Sequence, residues 1–368
     1  MRGFLRKTKR LGRFGRIDML EFYRGKTVLV TGHTGFKGSW LCRVLIGAGA
    51  KVVGYSDGLP TNPALFTLAD VENKMHSVMG DVRDYEHLKA VFDQFQPEIA
   101  FHLAAQPIVR ESYRNPRDTY ETNVMGTVNF LECCRLTKSV RSVLNITTDK
   151  VYLNDDIPDH AFREDEPLDG YDPYSNSKSC SELVTHSYKK SFFTDGRCAV
   201  STARAGNVIG GGDFASDRII PDCVRAIEKG QEIVVRNPYS TRPYQHVLEP
   251  LAVYLTIAQK QYEDKRYEGY YNVGPDDCDC VTTGQLVDKF CEAWGNGASW
   301  VNRHDGGPHE AAFLKLDNTK IKKVFGWAPR WHIDETMREI VDWTKVYFEN
   351  PSEIPSEMDR EIEEFFQQ

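Results

Sequence analysis

The chain has 368 residues, of which 40% are hydrophobic and 27% are charged, and its formal net charge is −7. This acidic balance argues against a nucleic-acid-binding protein, because such proteins are usually basic, and no apolar run reaches the length of a membrane span. The nine cysteines form no C-x-x-C pair and no Cys/His set with metal-ligand spacing. We therefore expect reduced thiols, no bound metal and a cytoplasmic location.

The first 18 residues differ from the rest of the chain. They contain seven arginines or lysines and one acid, with no apolar stretch of the kind found in a signal peptide. A basic segment without apolar periodicity has little to bury. We expect residues 1–18 to be a disordered extension ahead of the first domain.

A glycine-rich turn follows the first predicted strand. The β-branched run from Thr27 ends in Gly32, Gly35 and Gly38, after which apolar residues recur at helical spacing. Glycines let the backbone approach a ligand closely, and a helix N-terminus attracts phosphate. An ordinary strand-to-helix loop is the alternative, but the place of the turn at the start of a βαβ pattern favours a pyrophosphate site. We assign the cofactor contacts of this turn to Gly32, His33, Thr34, Gly35, Phe36 and Gly38.

The end of the second predicted strand indicates which dinucleotide binds. In dinucleotide-binding folds this strand end meets the adenosine ribose, often through an acid. Here Ser56 and Asp57 stand at that place, without an arginine to receive a 2′-phosphate. The pattern favours NAD over NADP, although Lys37 in the glycine turn offers a positive charge that weakens this inference.

The third and fourth predicted strands add further cofactor candidates. Asp81, followed by Val82, comes just after the strand that begins at His76, where it can accept from an adenine amino group or cap the next helix. The fourth strand, 99–106, ends in small residues that suit a backbone lying against a cofactor. Asn123, in a predicted helix, is better explained as structural.

The fifth predicted strand, 142–152, runs into a polar cluster. Ligands of open parallel sheets bind at the carboxyl ends of strands, so the run Thr148, Asp149 and Lys150 is a candidate site. Tyr174 and Lys178, four residues apart, share one face of the helix predicted next. An ammonium near a phenol lowers the pKa of the tyrosine and makes it a general base.

After the sixth strand, 199–204, the alternation of strands and helices breaks down. The sequence predicts an α/β fold, with a Rossmann-type doubly wound parallel sheet and a smaller, mixed C-terminal substrate-binding domain. We expect the NAD-binding domain at 19–208, with returns near 244–275, and the substrate domain, interleaved with it, at 209–350. The Glu-rich segment 351–368 is predicted to be a solvated acidic tail.

From about residue 24 to 343 the chain resembles the extended short-chain dehydrogenase/reductase family, and within it the NAD-dependent sugar-nucleotide dehydratases. The resemblance is carried by T-G-H-T-G-F-K-G (Thr31–Gly38), H-L-A-A-Q-P (His102–Pro107), T-D-K (Thr148–Lys150), Y-D-P-Y-S-N-S-K (Tyr171–Lys178), R-A-G-N-V-I-G-G-G-D (Arg204–Asp213), R-P-Y-Q-H-V-L-E-P-L (Arg242–Leu251) and P-H-E (Pro308–Glu310). Related dehydratases usually carry glutamate where Lys150 stands, and lysine is typical of the branch that acts on CDP-glucose.

The resemblance implies 4,6-dehydration of a nucleotide-diphosphate hexose, with CDP-glucose the favoured substrate. Tyr174 would deprotonate the C4 hydroxyl, Thr148 would hydrogen-bond that oxygen, and Lys178 would hold the cofactor ribose. Asp149 would be the acid and Lys150 the base, or its relay, in water loss. Further cofactor contacts are expected at Asp81, Val82, Leu103, Ala104, Ala105, Gln106 and Thr122, and substrate contacts at Gln106, Arg110, Asn207, Arg218, Arg242, Gln245 and His309. A homodimer or tetramer serving deoxysugar and O-antigen synthesis is also implied.

Three alternatives stay open at this point. One is a dehydratase of dTDP-glucose or GDP-mannose, because the nucleotide is inferred from resemblance alone. Another is a sugar-nucleotide 4-epimerase on the same scaffold, which would need no acid–base pair beside Thr148. The third is a cofactor-binding regulator without chemistry, which predicts loss of Tyr174 or Lys178, and both are present.

Overall fold

The structure is a computed structural model that describes residues 19–303, 306 and 312–367. The basic segment 1–18 and the candidate substrate residue His309 lie outside the described residues. Within the described part of the chain, no helix is both long and apolar enough to cross a membrane.

A sheet of seven parallel strands forms the centre of the molecule. From one edge to the other the strands are β12 (Tyr270–Val273), β7 (Ala199–Ala205), β5 (Ser142–Thr148), β4 (Ile99–His102), β1 (Thr27–Thr31), β2 (Lys51–Ser56) and β3 (His76–Met79). The order reverses direction between β1 and β4, and this switch point is where open α/β sheets bind ligands. The predicted Rossmann-type fold is confirmed.

Helices cover both faces of this sheet, because its central strands are apolar on both sides. One face packs against α1 (Phe36–Gly47), α9 (Leu248–Glu263) and α13 (Ile354–Gln367). The other face packs against α3 (Tyr85–Phe95), α6 (Gly126–Leu136) and α7 (Pro173–Phe192). The shorter helices α2, α4 and α5 span Leu65–Leu68, Val109–Arg114 and Pro116–Tyr120.

A separate apolar core lies in the second half of the chain. It joins α8 (Ile219–Glu228), α10 (Thr283–Trp294) and α12 (Ile333–Glu349) to short strand pairs. The remaining elements are β6 (Ala161–Phe162), β8 (Val208–Ile209), β9 (Ile233–Val235), β10 (Thr241–Pro243), β11 (Gln245–His246), β13 (Cys280–Thr282), β14 (Trp300–Asn302), β15 (Lys315–Leu316) and α11 (Thr319–Phe325). Strand β10 pairs antiparallel with β13, and β9 pairs parallel with β14.

Two predicted boundaries were wrong because side chains end the strands early. Strand β5 stops at Thr148 rather than Tyr152, since the Thr148 hydroxyl accepts from the Lys150 N–H and starts a single helical turn over Asp149–Val151. Strand β4 likewise stops at His102 rather than Gln106. Because the strands end early, the polar residues that follow them lie in turns at the carboxyl edge of the sheet instead of in hydrogen-bonded strands.

The prediction of a solvated acidic tail was also wrong. Helix α13 is amphipathic, and its face carrying Ile354, Met358 and Phe365 is fully buried against the main core. Arg43 of α1 makes two hydrogen bonds to the Asp359 carboxylate, at 2.7 and 2.6 Å. Glu363 and Glu364 occupy its outer face, whereas Glu361 is buried, so composition alone concealed the buried stripe.

Candidate active site

A cleft of about 700 Å³ opens at the carboxyl ends of the central strands. It is lined by these predicted site residues: Gly32, Thr34, Gly35, Phe36, Gly38, Ser56, Asp57, Asp81, Val82, Leu103, Ala104, Ala105, Arg110, Thr122, Thr148, Asp149, Lys150, Tyr174, Lys178, Asn207, Arg218 and Arg242. The cleft therefore brings together residues that are far apart in the sequence, from Gly32 to Arg242.

The glycine turn is packed too tightly for side chains at two of its positions. Gly32 has φ +74°, and a Cβ there would lie 2.7 Å from the Ala104 backbone nitrogen. A Cβ at Gly38 would lie 2.1 Å from the Gly32 carbonyl oxygen. The turn thus folds back on itself and leads into α1, whose first N–H groups face the cleft as an anion site.

His33 does not line the cleft, because it ties the glycine turn to the neighbouring strands. Its Nδ1 lies 2.9 Å from the Ser56 hydroxyl and its Nε2 lies 2.8 Å from the Ser77 hydroxyl. Burial lowers the pKa of His33 to about 4, so the ring is neutral near pH 7. The Ser56 hydroxyl also accepts from the Thr34 N–H at 3.4 Å, and Asp57 is exposed at the cleft rim.

Asp81 lies at the cleft wall and is held by an arginine of its own turn. Arg83 binds both oxygens of this carboxylate and also bridges to Asp118 at 2.5 Å. The Arg83 hydrogen bond lowers the pKa of Asp81. The carboxylate is ionised and fixed, and its assignment to an adenine amino group stays a prediction.

The reacting end of the cleft is built by the end of β5 and the start of α7. The hydroxyl of Thr148 donates to Asp149 Oδ1 at 3.0 Å, and Thr148 and Tyr174 line the same cleft, where Thr148 acts to lower the pKa of Tyr174 against burial. Asp172 caps α7 by accepting from the Ser175 N–H at 3.0 Å, which fixes where the helix begins. The sequence motifs at 148–150 and 174–178 thus form one cluster.

Asp149 is a buried acid with an unpaired oxygen. Its side chain is 1% exposed, and its Oδ2 has no hydrogen-bond partner among the residues that the structure describes. Burial raises the pKa of Asp149, and this effect outweighs the lowering by Lys150, Thr148 and Arg242. A carboxyl group in this environment holds its proton more readily than an exposed one, as a general acid must.

Tyr174 and Lys178 are both buried, and burial disfavours the charged form of each side chain. Burial raises the pKa of Tyr174 to about 12, against the opposing effects of Thr148 and Arg218. Burial, with help from Lys37, lowers the pKa of Lys178 to about 7, and its Nζ donates to the Ile146 carbonyl at 3.2 Å. The expectation that Lys178 lowers the pKa of Tyr174 was therefore wrong, because burial dominates.

Lys37 is a cleft residue whose position the sequence analysis misjudged. Burial and Arg218 lower the pKa of Lys37 to about 8, while Asp149 and Asp213 oppose the shift. Arg218, Asp149 and Asp213 belong to the reacting end of the cleft, so the ammonium charge of Lys37 acts there. The signal was present in the sequence, because Lys37 directly precedes the tightly packed Gly38.

The candidate substrate residues divide into two groups. Arg218 pairs with Asp213 at 2.9 Å, and Arg242 lies 4% exposed with Nη1 donating to the Thr241 carbonyl. Together with Arg110 and Asn207 they line the cleft.

Gln106 and Gln245 do not line the cleft, because their amides are used inside the fold. Gln106 donates to Thr119 at 2.9 Å, and its side-chain oxygen accepts from the Ile108 N–H. Gln245 donates to the Val273 carbonyl at 2.8 Å. Asn123, interpreted as structural, is buried and bonds to the Gln106 backbone and to Ser177.

Comparisons with known proteins agree with this geometry. The family model described as GDP-mannose 4,6 dehydratase matches residues 29–340. A CDP-glucose 4,6-dehydratase of Salmonella typhimurium is 48% identical over 333 residues, which are 89% of this chain and 92% of that protein. A dTDP-glucose 4,6-dehydratase of Haemophilus influenzae is 25% identical, over 86% of this chain and 97% of the relative.

Solved structures share the fold at lower identity. A dTDP-glucose 4,6-dehydratase from Streptomyces venezuelae with NAD bound has a TM-score of 0.75 and 23% identity, covering 88% of this chain and 97% of that one. A UDP-glucose 4-epimerase from Thermotoga maritima has a TM-score of 0.75 and 21% identity, covering 88% and 100%. Dehydratases and epimerases are thus alike in backbone, and the side chains of the cleft have to separate them.

Proposed function

The chain belongs to the GDP-mannose 4,6 dehydratase family, within the extended short-chain dehydrogenases/reductases, and we propose that it dehydrates CDP-glucose to CDP-4-dehydro-6-deoxy-glucose with NAD. The observation that carries the proposal is the buried Asp149 carboxyl, hydrogen-bonded to Thr148 beside Tyr174 in the cleft. The 48% identity to a CDP-glucose 4,6-dehydratase supports the choice of nucleotide.

The cleft fits a dinucleotide. Gly32, Gly35 and Gly38 line the cleft without side chains, so the backbone of the turn is open to a ligand at the N-terminus of α1. Gly35 and Phe36 would contact the pyrophosphate, Ser56 and Asp57 the adenosine ribose, and Asp81 the adenine. When bound, NAD would supply the hydride acceptor for oxidation at C4 and the hydride donor for reduction at C6.

The first step assigned to this chain is removal of the C4 hydroxyl proton. Tyr174 Oη accepts that proton, and Thr148 keeps the C4 oxygen within reach through its hydroxyl. Because burial raises the pKa of Tyr174, the phenolate needs a nearby positive charge, and Arg218, which acts to lower this pKa, supplies one.

The second step is loss of water across C5 and C6. The C4 ketone acidifies the C5 proton, which Lys150 removes directly or through a relay. Asp149, whose pKa burial raises, gives its proton to the departing C6 hydroxyl, so that the C6–O bond breaks as the C5–C6 double bond forms. Hydride return to C6 and reprotonation at C5 complete the product.

The diphosphate of the substrate is assigned to the positive side of the cleft. Arg218 and Arg242, with Arg110, provide guanidinium groups, and Asn207 adds an amide. Arginine matches the planar geometry of phosphate oxygens better than lysine does. Gln106, Gln245 and His309 stay candidates on the resemblance alone.

The proposal also includes the domain division and the assembly. The NAD domain would span 19–208 with returns near 244–275, and the substrate domain 209–350, which the separate core of α8, α10 and α12 supports. A homodimer through helices beside the sheet is supported by the exposed apolar side chains of Tyr113, Met125 and Leu183. A cytoplasmic location and a role in O-antigen deoxysugar synthesis rest on the resemblance.

The epimerase alternative is less well supported by this cleft. A 4-epimerase has to remove and return one hydride at C4, and needs neither an acid at C6 nor a base at C5. The buried Asp149 and the adjacent Lys150 would then serve no purpose beside Thr148. A regulator without chemistry would not need Tyr174 and Lys178 at the reacting end.

The test is to incubate the full chain and NAD with a panel of CDP-, dTDP-, GDP- and UDP-hexoses. We expect a 4-keto-6-deoxy product from CDP-glucose, and at least about tenfold slower turnover of the other nucleotides, since one lost polar contact is worth about that factor. Asp149→Asn is the matched comparison and should form this product about 10²–10⁴-fold more slowly. A C4 epimer without water loss would replace the proposal by the epimerase, and no turnover would favour the regulator.

A further inference from the structure

Three side chains of types that commonly bind metals lie close together beside the separate apolar core of α8, α10 and α12 (the second core). The proposed reaction does not use these three residues. Cys278 and Asp279 lie in the turn before β13, and His332 is the residue that precedes α12. The Cys278 Sγ is 3.6 Å from Asp279 Oδ2 and 3.8 Å from His332 Nδ1, and these last two atoms are 2.8 Å apart. Because 54 residues separate Cys278 from His332 in the sequence, no motif spacing could have indicated this group.

The three distances suit one small cation. Zinc lies about 2.3 Å from a thiolate sulfur and about 2.0–2.2 Å from imidazole nitrogen or carboxylate oxygen, in tetrahedral geometry. Two ligand atoms on such a tetrahedron are separated by about 3.3–3.6 Å, as follows from those bond lengths. The two sulfur distances are near this range, and the nitrogen–oxygen distance would have to open by about half an ångström.

One of the three proposed ligand side chains is buried and fixed by a hydrogen bond, and the other two are open to solvent. Asp279 is 3% exposed, and its Oδ1 accepts from the Ile333 N–H at 2.9 Å, which leaves Oδ2 for the cluster. Cys278 is exposed, and the His332 side chain is 52% exposed. The hydrogen bond between Asp279 and His332 would by itself account for the positions of those two side chains. It does not account for the position of the Cys278 thiol, which lies near both of them.

We propose that Cys278 Sγ, Asp279 Oδ2 and His332 Nδ1 bind a zinc ion, with water as the fourth ligand. The ion joins the turn before β13 to the start of α12. Strand β13 pairs with β10, where Val281 is opposite Arg242, so the ion braces the strand that carries a cleft arginine. Its role is structural, and it is independent of the reaction proposed above.

The experiment titrates the full chain with Co²⁺ alone, and with Zn²⁺ in competition with a chromogenic chelator. We expect one equivalent of Co²⁺, a thiolate-to-cobalt charge-transfer band, and a melting temperature that Zn²⁺ raises by mass action. Cys278→Ser should abolish the band, and His332→Gln should weaken Zn²⁺ binding at least about tenfold, the smallest effect typical of metal-site mutations.

The matched control is Cys291→Ser, which removes a partly buried thiol of α10 that belongs to the second core. It should keep the band, the stoichiometry and the response of the melting temperature. The proposal is overturned if Co²⁺ binds without a thiolate band, if Cys278→Ser binds zinc like the parent chain, or if Cys291→Ser loses as much affinity as Cys278→Ser. Circular dichroism of each variant checks that the fold is retained.

Discussion

Thr148 donates its hydroxyl proton to Asp149 Oδ1 at 3.0 Å, although the two residues are adjacent in the chain. This contact forms because β5 ends at Thr148 and the backbone turns at once into the single helical turn over Asp149–Val151. The same residue acts on Tyr174, whose pKa it lowers against the larger effect of burial. One threonine therefore connects the base proposed for C4 to the acid proposed for C6.

Replacing the Tyr174 hydroxyl should stop the first oxidation. Tyr174→Phe keeps the buried ring but removes the proton acceptor, so we expect C4 oxidation to slow by about 10²–10⁴-fold, as for loss of general base help. Reduction of bound NAD⁺ in a single turnover measures this step, and nucleotide-sugar affinity should change little. A variant that reduces NAD⁺ at the normal rate would show that another group takes the proton.

The fold was predictable because each strand and helix has its own local pattern. The apolar run before Gly32 predicted β1, and the segment near Tyr271 was correctly expected to return to the main sheet. A helix was expected at α13, but its burial was not predictable, since its buried face depends on Arg43 and the core of α1, which composition cannot reveal.

The candidate site was partly predictable for a related reason. Residues at strand ends, such as Thr148 and Ser56, are placed by the parallel sheet itself. Side-chain directions were not predictable: His33 points to two serines instead of the cleft, and the charge of Lys37 acts at the reacting end. Local motifs fix where a backbone lies, whereas these directions depend on partners that come from distant parts of the chain.

We predict that NAD binds more tightly than NADP, since Ser56 and Asp57 bring no arginine to the end of β2. Asp57, exposed at the rim, would repel a 2′-phosphate. Equilibrium titration of both cofactors gives the ratio of dissociation constants. Because Lys37 belongs to the reacting end, Lys37→Met should leave this ratio unchanged within about a factor of three, or less than 0.7 kcal/mol. A larger shift toward NAD in that variant would mean that Lys37 does receive the 2′-phosphate.

The stability of the docked helix α13 should depend on Glu361. This carboxyl is fully buried, 3.4 Å from His246 Nε2, and its two oxygens lack a hydrogen-bond partner within the described residues. Burial raises the pKa of Glu361 well above its ordinary value. The folded chain therefore holds this proton to a higher pH than the unfolded chain, so the stability is full below the ordinary carboxyl pKa and falls as the pH rises through the folded value.

Glu361→Gln removes this titration while keeping the shape of the side chain. We expect the variant to melt higher than the parent chain near pH 7, by at least about 2 °C, and the difference to shrink as the pH falls toward 4.5. Differential scanning calorimetry across this range measures it. Glu364→Gln, on the exposed side of the same helix, is the control and should show no such trend. A difference that does not change with pH would contradict the assignment.

The last prediction concerns Asp149 and Lys150, which separate a dehydratase from an epimerase. Burial raises the pKa of Asp149 and outweighs the effect of the neighbouring ammonium, so the pair combines an acid whose proton is held more readily with a potential base. Removing either member should leave C4 oxidation intact, because Thr148 and Tyr174 are unchanged.

Asp149→Asn and Lys150→Met should therefore slow water loss by about 10²–10⁴-fold, the range for losing general acid–base help. Since the hydride has then left C4 but cannot return to C6, bound NADH should accumulate, which its absorbance measures directly. Exchange of the C5 proton with solvent should fall most in Lys150→Met, because only that variant lacks the base. Lys138→Met, outside the cleft lining, is the matched control and should behave like the parent chain. If both cleft variants turn over normally, or if both already fail at hydride transfer, the pair does not carry the elimination.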